Sequence, residues 1–259
     1  MTICIAAIGV DEKGKEAIVF ATDHMVSWPQ MGQFEKTIDK YKKLNTNTVA
    51  MLSGNPLIFE TLIGKCRKEC SFDEIAQTIQ SSMIELKEQI IQKQLLDIYK
   101  INYDYIKEVL KAPIPNPYID NLLRAISGFS LQTSILLVGF KDDTAQIAEV
   151  IENAISNLRD IAFGAIGSGA VQALNTLLFQ GQSSNDSLAA TLYNVYKAKR
   201  NAEVSIGVGK ETDIMILTKA GLTEISDDNI KILSTIYESE LKFGKTNEKV
   251  KEMLNSSFK

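Results

Sequence analysis

Ile3-Cys4-Ile5-Ala6-Ala7-Ile8, then Asp11-Glu12-Lys13-Gly14-Lys15, then Ala17-Ile18-Val19-Phe20-Ala21-Thr22 is the stretch on which the fold class turns. Two apolar, β-branched-rich runs joined by a polar turn with glycine are a hairpin signal. A third apolar run, Thr48 to Leu52, ends at Ser53-Gly54-Asn55. Pro56 then sits where a first-turn proline belongs, with Asn55 as its N-cap, and predicts a helix to about Cys70. Ser71-Phe72-Asp73-Glu74 matches a capping box and starts a second helix. Ile75, Ile79, Met83, Leu86, Ile90 and Leu96 keep helical spacing, and the pattern extends to Leu110 before Pro113-Ile114-Pro115-Asn116-Pro117 stops it. The segment 87–130 therefore reads as an elongated helix pair, with Ile119 to Ile126 as the returning piece.

Further strands are expected at Ser134 to Phe140, Gln146 to Ile151 and Ile161 to Ile166, with polar turns between them. Gly167-Ser168-Gly169 leads into a helix carrying Val171, Leu174, Leu177 and Leu178, and Ser187 opens another carrying Leu188, Leu192, Val195 and Tyr196. Val204 to Val208 and Asp213 to Thr218 read as the last strands, followed from Asp227 by a helix with a break near Gly244. Strict βα alternation, which would imply a doubly wound parallel sheet, is absent. Runs of strands separated by helix pairs suit two stacked antiparallel sheets with helix pairs outside them.

The 259 residues are 45% hydrophobic and 23% charged, an ordinary globular composition with enough chain to bury a sizeable core. Lys+Arg 28 against Asp+Glu 32 leaves a net charge of −4, which gives no electrostatic claim on nucleic acid or anionic lipid. No apolar run approaches the roughly 20 residues that span a bilayer, and the N-terminus lacks the features of a signal peptide. Cys4, Cys66 and Cys70 cannot build a disulfide framework, so the expected compartment is a reducing cytoplasm. His24 is the single histidine, which excludes any mechanism needing two in one chain.

The familiar motifs fit poorly. Gly164-Ala165-Ile166-Gly167-Ser168-Gly169 precedes a helix but lacks a Lys-Ser/Thr ending and an acidic ribose partner, so it reads as a tight strand-to-helix turn. Cys66 and Cys70, four apart on a helix, with Cys4 and His24 make only a nominal zinc set. No G-x-S-x-G elbow supplies a serine nucleophile for His24. Met1-Thr2 carries more chemistry. Thr is small enough for initiator-Met removal, which frees an α-amine on the residue whose hydroxyl could attack a carbonyl. An α-amine with a pKa of about 7.7–8.0 can deprotonate that hydroxyl. Taken alone, Thr2 also reads as the first residue of a strand.

Placed in order along the chain, several stretches resemble proteasome β-type subunits of the N-terminal-nucleophile hydrolase superfamily. They are Thr2 opening the first strand; Phe20-Ala21-Thr22-Asp23 followed by Ser27; and Lys40 fourteen residues before Gly54. Leu136-Leu137-Val138-Gly139-Phe140-Lys141-Asp142 is similar to the family's LLVGGxD strand. Ala165-Ile166-Gly167-Ser168-Gly169 is similar to its (A/S)xGSG turn, and Asp213-Ile214-Met215-Ile216 to its late D-hydrophobic strand. The Met-Thr-x-Cys start most resembles the bacterial ancestral-β-subunit proteins and their archaeal relatives.

The resemblance implies an α+β fold, a four-layer α-β-β-α sandwich formed as one domain over 1–259, with the helical excursion at about 87–130 as an addition. It implies a threonine-type peptidase acting on peptide or unfolded protein inside a self-compartmentalised homo-oligomer. A catalytically silent assembly subunit and a small-molecule amidase on the same fold are the alternatives. Thr2 would be nucleophile and base, Lys40 would hold down the hydroxyl's pKa, and Asp23 would orient Lys40. Gly54 N–H would face the oxyanion, Ser168 would hydrogen-bond near the α-amine, Ser27 would align an extended substrate, and Leu52 would line the first specificity pocket. No metal or organic cofactor is required. Ser205 matches a serine that supports the nucleophile, while Asn201 stands where the family places an aspartate. An ATPase or ring partner is outside what these residues address. The intact mass of the purified protein checks the first step: it is expected to fall short of the full sequence by one Met.

Overall fold

Every residue from Ile3 to Gly9 is buried, on both faces of the first strand. A strand buried on both faces must lie in a sheet covered on two sides, and the rest of the architecture follows from that requirement. The computed structural model describes residues 2–28, 32–35, 39–111 and 117–245. It is mixed α+β. Strands β1 (Ile3–Val10), β2 (Glu16–Asp23), β3 (Met25–Trp28), β4 (Gly32–Glu35), β5 (Tyr41–Asn45) and β6 (Thr48–Ser53) come first. Helices α1 (Phe59–Ile63), α2 (Phe72–Ile91), α3 (Tyr103–Leu110) and α4 (Pro117–Gly128) follow. Then come β7 (Ser134–Lys141), β8 (Thr144–Ile151), β9 (Ala154–Asn157), β10 (Phe163–Gly167), α5 (Ala170–Phe179), α6 (Leu188–Ala202), β11 (Thr212–Thr218), β12 (Gly221–Glu224) and α7 (Asp227–Lys245).

Two antiparallel five-stranded sheets result, ordered β10-β1-β2-β11-β12 and β5-β6-β7-β8-β9, with β3-β4 as a small separate hairpin. Three apolar clusters join the elements. Cys4, Ile8 and Phe20 of the first sheet pack on Met51, Leu136 and Ile147 of the second. On its other face the first sheet meets α5 and α6 through Ile5, Val19, Leu177 and Tyr196. The second sheet meets α1 and α2 through Leu137, Val150, Leu62 and Ile79. Burying each such side chain is worth about 1.5–3 kcal/mol, so alternation along each strand feeds two cores at once. No helix among the described residues is long and apolar enough to cross a membrane.

Local chemistry explains where the elements depart from expectation. Asn55 caps as read, its side chain accepting from Leu57 N–H, but the helix from Pro56 is a short 3-10 turn and α1, which stops at Ile63 instead of Cys70. The Ser71/Glu74 capping box has both of its hydrogen bonds. The long helix ends at Ile91 in a π turn and a 3-10 turn, and Lys100 is left-handed (φ 55°). Asn102 then caps a new helix, α3. The excursion closes on its own small cluster of Ile91, Leu96 and Ile106, so Ile106 is buried while Ile98, Tyr105 and Leu110 are exposed. Val204 to Val208 is a turn and not a strand, because Ser205 N–H bonds back to Ala202 C=O and Val208 N–H to Ser205 C=O. β5, β9, β12 and the β3-β4 hairpin were not anticipated, and α7 runs through Gly244 to Lys245. The proline run 113–116 lies outside the described residues.

Leu136 is fully buried between the sheets, and a Cβ on Gly164 would stand 3.3 Å from its Cδ1. Leu136→Ala is expected to cost about 2–5 kcal/mol, read as a lowered urea midpoint with unchanged slope.

Candidate active site

The start of β1, the ends of β2, β6 and β10 and the residue before β5 gather at one end of the two sheets. Ile3 pairs with Gly167, Cys4 with Thr22, Asp23 with Thr212 and Tyr41 with Met51. Leu52 N–H donates to Lys40 C=O at 2.9 Å, tying the Lys40 main chain to the strand that ends at Ser53-Gly54. Cys4 Sγ–H donates to Leu52 C=O at 3.5 Å, linking the two sheets beneath the same point.

Asp23 is the centre of this arrangement and is 0% exposed. Its Oδ1 accepts from the Thr2 hydroxyl at 2.6 Å, Ile3 N–H at 2.9 Å and Lys40 Nζ at 2.5 Å. Its Oδ2 accepts from Gly209 N–H at 2.7 Å and Met25 N–H at 3.2 Å. Lys40 Nζ also donates to Thr2 Oγ1 at 2.5 Å, so the hydroxyl gives its proton toward a carboxylate while an ammonium faces its lone pair. Burial pushes the Asp23 carboxyl up, but the Lys40 charge and the hydrogen bonds from Lys40, Thr2 and Gly209 outweigh it and hold the group below its usual range. Burial pushes the neighbouring Cys4 thiol far up, so it stays protonated.

Gly167 (φ +106°) lies directly against Thr2, and a Cβ there would stand 2.2 Å from the Thr2 carbonyl oxygen. Only glycine permits that approach. Ser168 is exposed and its hydroxyl donates to the same carbonyl at 3.3 Å, so it reaches the Thr2 main chain. Gly54 (φ +122°) is equally confined, since a Cβ would stand 2.6 Å from Gln132 C=O and Thr133 Oγ1. Leu52 is 6% exposed, its side chain packed with Phe59 and Leu62 under α1 and α2. Ser27 lies in β3 opposite Gln33. Ser205 stands in the α6–β11 turn, its hydroxyl shielded and with no hydrogen-bond partner among the described residues.

Asn201 faces elsewhere. Its amide donates to Thr176 Oγ1 at 3.0 Å and accepts from Tyr237 OH at 2.6 Å, joining α5, α6 and α7. The site's missed member is Gly209, whose N–H reaches Asp23; the Gly207-Val208-Gly209 spacing is a turn signal that straddles the end of the run Val204 to Val208 read as strand. His24 is bracketed by acids, with Nδ1 3.1 Å from Glu211 Oε2 and Nε2 2.7 Å from Asp213 Oδ2. Cys66 and Cys70 sit against the α1–α2 cluster, away from Cys4 between the sheets, and no three potential metal ligands converge among the described residues.

No protein-family model and no curated protein matches the chain. The fold nevertheless has a solved counterpart. It is the Anbu (Gly-1) mutant from Hyphomicrobium sp. strain MC1, similar with a TM-score of 0.61 at 14% identity over 95% of this chain and 98% of that one. At that identity the likeness is one of fold.

Burial lowers the His24 pKa, but hydrogen bonds and charge from Asp213 and Glu211 prevail and hold it above its usual value. A raised folded pKa stabilises fully below the unfolded value of about 6.5 and is lost as pH rises through the folded one. Asp23 has the opposite sign: its contribution is present above about 3.9 and lost as pH falls. Urea midpoints measured across pH should fall on both sides, and His24→Gln should flatten the alkaline limb only.

Proposed function

We propose that the protein is a threonine-type N-terminal-nucleophile peptidase, built as a four-layer α-β-β-α sandwich and working in a homo-oligomer. The observation that carries this reading is the closed Thr2–Lys40–Asp23 network, a hydroxyl, an ammonium and a buried carboxylate within 2.5–2.6 Å of one another. An ion pair serving stability alone has no need of a threonine hydroxyl between its members.

In this mechanism, removal of Met1 frees the Thr2 α-amine. Asp23, kept ionised by its donors, is too weak a base to take the hydroxyl proton; the amine, near neutral in pKa, is matched to the task. Thr2 Oγ1 attacks the scissile carbonyl while Lys40 stabilises the developing negative charge on that oxygen. Gly54 N–H meets the oxyanion, a contribution of roughly 10²–10³ in rate. The α-ammonium then passes its proton to the departing amine, leaving an ester on Thr2, and water carried through the same steps in reverse order regenerates the hydroxyl. Ser168 holds the Thr2 main chain, Ser205, whose hydroxyl has no partner among the described residues, is assigned to the freed amine, Ser27 aligns the extended substrate, and Leu52 closes the floor of the first specificity pocket.

Assembly is read from the excursion, where Ile98, Tyr99, Tyr105, Leu110 and Tyr118 are all at least half exposed. Apolar surface of that extent marks an association face. Light scattering at micromolar concentration is expected to give a multiple of the 28.7 kDa chain; a monomer mass counts against the assembly.

The chemical test uses fluorogenic peptides and an electrophilic inhibitor read by mass spectrometry. Wild-type protein is expected to cleave and to carry the adduct on Thr2. Thr2→Ala should abolish both with a stability change of about 0.5–3 kcal/mol, and Thr2→Ser should keep part of the activity. Lys40→Ala should be nearly as damaging as Thr2→Ala, because a nucleophile and its electrostatic support fail as a unit. Protein that has lost Met1 yet forms no adduct and cleaves nothing, neither peptides nor small amides, would leave the silent-subunit alternative.

A further inference from the structure

Lys199, near the end of α6, is 0% exposed. Its Nζ donates to Glu203 Oε1 at 2.7 Å and to Lys210 C=O at 2.6 Å. A buried ammonium is costly unless it is paired and its protons are used, and both partners of this one belong to a single short segment. That segment, 203–210, connects α6 to β11 as the turn already described. Two peptide units before the Lys210 carbonyl lies Gly209 N–H, which donates to Asp23 Oδ2. Lys199 therefore grips the turn at both ends, while the turn delivers a donor to the carboxylate that orders Thr2 and Lys40.

The helix geometry separates this role from that of Asn201. Residues 199 and 203 are four apart and share a face of α6. Asn201, two residues from Lys199, projects from nearly the opposite side, where it is held by Thr176 and Tyr237. Electrostatic support for the nucleophile thus cannot come from position 201 in this chain. Lys40 is paired with Asp23 Oδ1, and Lys199, beyond the Gly209 turn, lies within electrostatic reach of the same carboxylate.

We propose that the Lys199–Glu203 pair sets the α6–β11 turn so that Gly209 N–H is aimed at Asp23, making Lys199 a positioning residue for the Thr2 site. This rests on the active-site reading of Thr2, Lys40 and Asp23 given above. Burial depresses the Lys199 pKa, and the opposing pull includes both Glu203 and Asp23, as expected for a cation serving both.

The test compares full-length wild type, Lys199→Met, the double variant Lys199→Met/Glu203→Met, and Asp23→Asn as reference. The Gly209 amide resonance and the titration midpoint of the labelled Asp23 carboxyl are followed by NMR, with kcat and KM for a fluorogenic peptide beside them. In folded Lys199→Met the Gly209 amide is expected to move toward its position in Asp23→Asn, and the Asp23 midpoint to rise. kcat is expected to fall at least tenfold with KM within twofold. Where Lys199→Met fails to fold because Glu203 keeps only its longer 3.6 Å pair with Arg200, the double variant, which leaves only the part-exposed Arg200 without its acid, decides. If it shows the same displacements the proposal stands; if its Gly209 amide and Asp23 midpoint match wild type, the pair merely neutralises itself and the proposal is overturned. A wild type that cleaves no peptide removes the hydrolase reading alone, because the two NMR readouts decide the positioning role without activity.

Discussion

A carboxylate taken wholly out of water must be repaid in hydrogen bonds and charge, and Asp23 is such a group. Among the described residues, five donors converge on its two oxygens: the Thr2 hydroxyl, the Ile3, Met25 and Gly209 amides, and the Lys40 ammonium. They come from the first strand, the start of the β3-β4 hairpin, the segment before β5, and the turn before β11. Satisfying one anion therefore dictates where four otherwise distant pieces of chain must lie. The same convergence forces main chains together, which is why Gly167 backs onto Thr2 and a main-chain N–H, not a side chain, completes the shell on Oδ2.

The layers supply the rigidity that this requires. With both faces of the first sheet covered, β1 and β2 cannot slip by a residue without turning apolar side chains of two clusters the wrong way. The register that pairs Cys4 with Thr22 and Ile3 with Gly167 is thereby held, and with it the relation of Thr2 to Asp23 and Ser168. A site at the ends of strands, filled in by turns, combines a fixed frame with main-chain donors that point out of it. Histidine is peripheral here: His24 serves a pair of acids, and the network around Asp23 is built from threonine, lysine and main-chain donors.

Elements whose signals are local were legible in the sequence. The opening hairpin follows from two apolar runs and a glycine turn, and the start of α2 from Ser71 and Glu74, whose reciprocal bonds involve neighbours three residues apart. Elements governed by distant contacts were not. Helical spacing continues past Ile91, yet the chain unwinds there because Leu96 and Ile106 fold back to share a cluster with Ile91. Val204 to Val208 has the composition of a strand, but strand pairing needs a partner edge, and the chain instead turns to meet Lys199. β5, β9, β12 and the β3-β4 hairpin are short runs at sheet edges or apart from the main sheets, where apolar alternation is weakest.

The candidate site divides the same way. Thr2 could be picked out by its own chemistry, a hydroxyl beside an α-amine once Met1 is removed, whereas Asp23, Lys40, Gly54, Ser168 and Ser205 were marked only by the resemblance to proteasome β-type subunits. Their distances could not be read from either. Positions 2, 23 and 40 become neighbours only when strand register and sheet stacking close a loop of long-range contacts, a collective property of the packed core. Asn201 shows the limit most clearly. By the resemblance it stands where the family places an aspartate, whereas helix rotation sends it toward Tyr237 and leaves the other face of α6 to Lys199 and Glu203. Gly209 escaped notice because a main-chain N–H has no residue-type signature. Sequence determined which chemical groups are available and the local segments that carry them; tertiary structure alone decided which of them share a buried carboxylate, because burial makes every unpaired donor or charge too costly to leave elsewhere.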